Sequence, residues 1–190
     1  MALFAVNTGC RDSEVCGLRW EWEVAVPELA ASVFIVLGTT VKNGEDRLIV
    51  LNRNAAQVVD QQRDRHPSHV FSCRGMPLSR MLNRAWLKAR AEAGLPQVRV
   101  HDLKHTCGRR LRAAGVGFED RQDLFGHRSG RVTTHYSAAE LGRLLAAANT
   151  VCDITDRKPE LVVLMGRLAC VPQMSSKGHS ENGRKGWLSQ

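Results

Sequence analysis

Two apolar, β-branched runs, at residues 32–37 and 47–51, flank a polar stretch that contains Lys42-Asn43-Gly44. Asn-Gly between such runs is the strongest short-range hairpin signal, because both turn positions must accept a positive φ. The runs are therefore expected to pair as neighbouring antiparallel strands with Lys42 at the tip. Alternating residues in EWEVAV (21–26) add a further strand upstream.

The remaining periodic stretches read as helix. Residues 1–7 form the end of an apolar helix broken at Thr8-Gly9, and Asp12-Ser13-Glu14 opens a short one reaching about Leu18. Helices are also predicted from Asn54 through AAQVVDQQRDRH, over 77–93 with Gly94 and Pro96 as the stop, over 102–114 closed by Gly115, and over 119–124. HVFS near Val70 reads as a short extended piece. A last helix, 138–148, carries an apolar stripe of Leu141, Leu144, Leu145 and Ala148. The expected fold class is α+β, mostly helical, with a small antiparallel β-sheet. Periodicity ends near Asp153, so residues 1–153 read as one domain and 154–190, polar and glycine-rich at the end, as a disordered tail.

The chain has 190 residues, room for one sizeable core. No run of about 18 apolar residues occurs and the N-terminus has no secretory pattern, which points to the cytoplasm. Six cysteines (10, 16, 73, 107, 152, 170) lie scattered without a C-x-x-C pair, as expected for reduced thiols. The net charge is +8, and residues 1–154 alone hold 21 basic against 16 acidic residues. A basic excess within the domain favours a polyanionic partner.

Several residues stand out for chemistry. The chain has a single tyrosine, Tyr136, in the basic loop GHRSGRVTTHYS; by position alone it fits a partly buried anchor for the last helix as well as a reactive group. Arg11 follows the Thr-Gly break at a helix start, where the helix dipole disfavours a cation unless an anion joins it. His101 and His105 share a helical face in HDLKH. That stretch lacks the glutamate of the H-E-x-x-H zinc helix, and no third ligand has familiar spacing, so a metal site is not expected.

Taken in order, NTGCRDSEVCGLRW, VKNGED, HDLKHT and FGHRSGRVTTHY resemble the catalytic domain of the tyrosine recombinases, or phage-type integrases, over about residues 1–150. The resemblance implies cleavage and rejoining of duplex DNA without metal or other cofactor. Tyr136 would attack a phosphodiester to leave a 3′-phosphotyrosyl link and a free 5′-hydroxyl. Arg11 matches the first family arginine, whose fork suits two phosphate oxygens. Lys42 matches the lysine that protonates the leaving 5′-oxygen, His101 the histidine of the H-x-x-R box, a proton acceptor from the tyrosine or a phosphate ligand, and His127 a later phosphate-contacting histidine. Arg109, Arg110, Arg128 and Arg131 are candidate DNA contacts.

Two departures qualify the match. Lys104 stands where the box has its second arginine, keeping charge but losing the fork, with an expected cost of about 1–3 kcal/mol in the transition state, or roughly 5- to 150-fold in rate. No helical DNA-clamping domain precedes Met1, so the expectation is an N-terminally truncated domain. Its alternative reading is a catalytically silent remnant that only grips phosphates. The stripe on the last helix either packs within its own domain or, as the resemblance implies, docks into a neighbouring protomer to give tetramers on paired DNA sites.

Overall fold

The computed structural model describes residues 1–38, 46–126 and 137–152. The predicted tail, 154–190, lies outside them, as do Lys42, His127, Arg128, Arg131 and Tyr136.

Helices α1 (Ala2–Thr8) and α2 (Asp12–Cys16) precede a three-stranded antiparallel sheet of β1 (Glu23–Val26), β2 (Ala31–Val36) and β3 (Arg47–Val50), in that spatial order. Then come α3 (Arg53–Asp60), the short strands β4 (Ser72–Cys73) and β5 (Met76–Pro77), and helices α4 (Arg84–Glu92), α5 (Val100–Ala113), α6 (Phe118–Phe125) and α7 (Ala138–Asn149). The chain is thus α+β with a small antiparallel sheet. Strands β2 and β3 pair with Val36 opposite Arg47, the neighbour relation that the Asn-Gly signal predicts.

Two differences from the periodicity have local causes. Helix α4 starts at Arg84 rather than at 77, where the Asn83 side chain accepts a hydrogen bond from Trp86 N at 3.0 Å. The residues before it pair as a hairpin: Arg74 and Gly75, both at positive φ, make the two-residue turn between Cys73 and Met76. Leu78 and Met81, whose spacing mimics a helix, reach the core from irregular backbone that is pinned where Met81 N donates to Asp12 Oδ1 at 2.7 Å. The first half of EWEV is a 3₁₀ turn, Trp20–Trp22, so β1 begins only at Glu23.

The core has two parts. Phe4, Val15, Leu18, Phe34, Val36, Ile49 and Val59 join α1, α2 and α3 to one side of the sheet. Val50, Cys107, Leu111, Leu124, Phe125, Leu144 and Ala148 join β3 to α5, α6 and α7. Leu144 and Ala148 of the last helix are therefore buried inside their own domain, with Leu145 packed beside them. Asn52 locks the two parts together: fully buried, it caps α3 through Ala55 N and donates to Asn7 Oδ1 and Ala148 O at 3.1 and 3.3 Å. No helix among the described residues is long and apolar enough to cross a membrane.

Candidate functional site

The stretch Thr8 to Glu14 folds as a self-contained brace. Thr8 Oγ1 donates to Phe4 O at 2.9 Å as α1 ends, and Gly9 turns the chain at φ 65°. A side chain there would overlap the Phe125 ring, so Gly9 is required both by its conformation and by space. Arg11 then caps α2 with extended backbone. Glu14, three residues on, accepts from Arg11 N at 2.6 Å and from Arg11 Nη1 at 2.9 Å.

A second arginine holds the same carboxylate. Arg47 Nη1 donates to Glu14 Oε2, and Arg47 Nη2 donates to Gly9 O at 3.3 Å. Burial alone would raise the Glu14 carboxyl, but the Arg47 charge and the Arg11 backbone N–H prevail and hold it below the usual carboxylate range. Glu14 thus fixes Arg11 from beneath while leaving its side chain about a third exposed (37%).

Helix α5 supplies the other wall. Asp102 accepts from Arg99 N at 2.9 Å, which starts the helix at Val100 and sets His101 and Lys104 in its first turns. The Lys104 ammonium is buried, has no hydrogen-bond partner among the described residues, and lies 5.4 Å from the centroid of the Phe125 ring. Burial, with the nearby charges of Arg47 and Arg11, pulls its pKa down to about 8. The Glu14 carboxylate, already paired with both arginines, offsets these charges only in part.

Arg11, His101 and Lys104 line one groove, of about 530 Å³, between α5 and α6. Arg109 lines it too, with His105, Arg112, Phe118 and Arg121, and no carboxylate lines it among the described residues. The His101 and His105 rings meet edge to face at 4.7 Å, and no cluster of three metal-ligating side chains occurs among the described residues.

Arg110 is placed elsewhere. It donates to Asn7 Oδ1 at 3.4 Å and to Val151 O at 2.8 Å, tying α5 to α1 and to the end of α7 within the domain. Nine residues beyond His101, it stands about half a turn away on α5, whereas Arg112 shares the groove face. Arg47 also escaped the sequence reading. Its signal was strand parity: it shares a face with Ile49 and Leu51, both buried.

The chain belongs to the phage integrase family, whose profile matches residues 1–143. It is 30% identical over 148 residues to a protein named tyrosine recombinase XerC from Mesorhizobium japonicum, covering 73% of this chain and 46% of that one. It is 27% identical over 147 residues to the integrase of Salmonella phage P22, covering 70% of this chain and 37% of that protein. The chain therefore spans less than half the length of these relatives.

Proposed function

We propose that this chain is the catalytic domain of a site-specific tyrosine recombinase that breaks and rejoins duplex DNA. The observation that carries the reading is the convergence of Arg11, His101 and Lys104 on one groove with no carboxylate among its described lining residues, with Glu14 bracing Arg11 from below. Preorganised cations of this kind stabilise charge that grows on the non-bridging oxygens of a phosphodiester under attack.

The Tyr136 oxygen attacks phosphorus, the bond from phosphorus to the 5′-oxygen breaks, and a 3′-phosphotyrosyl ester and a 5′-hydroxyl result. A phenol has a pKa of about 10, so its proton must pass to a base, the role of His101 in this reading. Lys42 returns a proton to the leaving 5′-oxygen. His127 contacts the phosphate. Attack by a 5′-hydroxyl from another duplex reverses the step, so one ester is exchanged for another and no external energy source is needed. Arg109, Arg128 and Arg131 grip flanking phosphates. Four copies on two paired sites form the working assembly, held by surfaces other than the Leu144 and Ala148 face of α7, which the domain already buries.

Covalent capture tests this. The chain is incubated with sheared genomic DNA, denatured in detergent, and the protein-linked fragments are sequenced beside a Tyr136→Phe control. A set of fragments that depends on Tyr136 and shares a motif is expected. Salt-sensitive binding with no adduct would overturn the enzyme reading in favour of a non-cleaving DNA-binding remnant.

A further inference from the structure

The groove that holds Arg11 and Lys104 does not end at a single phosphate. Along α5 it continues past His105 and Arg109 to Arg112, and its far rim is formed by Phe118 and Arg121 of α6. From Lys104 to Arg112 the helix advances about 12 Å, room for more than a single phosphate. Neither Arg109 nor Arg112 has an ion-pair partner among the described residues, so their charges are available to a ligand.

Phe118 is the feature that phosphate binding leaves unexplained. It is the first residue of α6, 66% exposed, on the rim of a cationic groove, and belongs to neither part of the core. The Arg121 guanidinium, one turn along, lies 5.7 Å from its ring centroid. An intact duplex offers such a rim mainly phosphates and sugars, against which an aromatic ring packs only weakly. An unpaired base offers a π-face, and aromatic rings beside a cationic track are how proteins hold single strands.

We propose that the outer half of this groove, formed by His105, Arg109, Arg112, Phe118 and Arg121, is a binding site for unpaired DNA, with phosphates on the arginines and a base stacked on Phe118. That the strand is DNA rests on the recombinase reading. In that setting the site receives nucleotides next to the cleaved phosphate once they leave the duplex, and keeps them beside the reacting groups until the strand is rejoined.

The test uses the full chain and two fluorescein-labelled probes of equal length at fixed salt, a 12-mer oligo(dT) strand and a blunt 12-base-pair duplex, with affinities from anisotropy. Phe118→Ala is expected to weaken the single strand by about 5- to 150-fold, the effect of one lost base stack, and to leave the duplex within about 2-fold. Phe118→Trp should keep single-strand affinity, and a strand carrying 2-aminopurine should be quenched by the native chain and by Phe118→Trp but not by Phe118→Ala. Equal weakening of both probes, or of neither, overturns the proposal, and so does an RNA strand that binds more tightly through Phe118 than DNA does. Failure here leaves a Tyr136-dependent adduct untouched. A selective Phe118 effect without any adduct sinks the recombinase reading while the strand site stands.

Discussion

Arg47 and Glu14 form an ion pair with both side chains almost wholly out of solvent, at 4% and 3% exposure. The pair joins β3 to α2, and its carboxylate is the one that also holds the Arg11 backbone and guanidinium. A structural contact thereby becomes a positioning device for the groove.

Removing one partner of a buried pair leaves the other charge unpaired. Arg47→Met is expected to lower the unfolding free energy by about 3–5 kcal/mol, measured by urea denaturation. Arg47→Lys should lose less stability, because the charge remains while the second contact, to Gly9 O, is given up. If the pair positions Arg11, that variant should still cut DNA more slowly under conditions where it is fully folded. The pH dependence has a definite sign. Glu14 is held below its ordinary value of 4.5, so its stabilisation is present above about pH 4.5 and is lost as pH falls through the lower folded value. Glu14→Gln should flatten this acid limb.

If Lys104 meets a DNA phosphate as proposed, the affinity should depend on pH in the opposite direction. In the free protein it keeps its proton only up to about pH 8, because burial and the charges of Arg47 and Arg11 oppose it. A bound phosphate favours the ammonium and raises that value. Affinity is therefore full below about pH 8 and falls as pH rises above it, up to the pKa of the bound state. Lys104→Arg, charged throughout, should remove the fall. The same variant restores the fork, so single-turnover cleavage should rise by about 5- to 150-fold. An unchanged or slower rate would show that the lysine costs the enzyme nothing.

Local signals carried much of the fold, and they failed where distant contacts decide. The antiparallel pairing of β2 with β3, the Gly115 stop and the Asp12-Ser13-Glu14 start follow from signals between neighbouring residues, and all were legible. The helix expected from 77 was not, since the backbone there is pinned where Met81 N donates to Asp12, 69 residues away. In the groove, Arg11, His101 and Lys104 were found by resemblance. Arg47 was missed because an arginine on the apolar face of a strand makes sense only once its anion, 33 residues away, is in place. Phe118 was missed because exposure is not written in sequence.

Arg109 and Arg110 are adjacent in the chain and face different surroundings, so their substitutions should separate cleanly. Arg109→Ala, on the groove, should weaken DNA binding across sequences and reduce the slope of log K against log salt by about 1, with stability within about 0.5 kcal/mol of the native chain. Arg110→Ala loses hydrogen bonds to Asn7 and Val151 and leaves a buried carbonyl short of a donor, a cost of about 1–3 kcal/mol. Its salt slope should not change. Reversed outcomes would place the DNA on the other side of α5.

Gly9 connects packing to chemistry most directly. Gly9→Ala forces a non-glycine residue into the left-handed region, costing about 1–2 kcal/mol, and drives a methyl into the Phe125 ring, costing about 1–3 kcal/mol more. Shortening the ring should relieve only the second part. In a double-mutant cycle, Phe125→Leu made in the Gly9→Ala background is expected to cost less than in the native chain, with a coupling of about 1 kcal/mol or more by urea unfolding. Because the Gly9 carbonyl accepts from Arg47 and Arg11 follows two residues later, the double variant should bind phosphate poorly even under conditions where it is fully folded. Additive costs would mean that Phe125 yields freely and that Gly9 is needed for its φ alone.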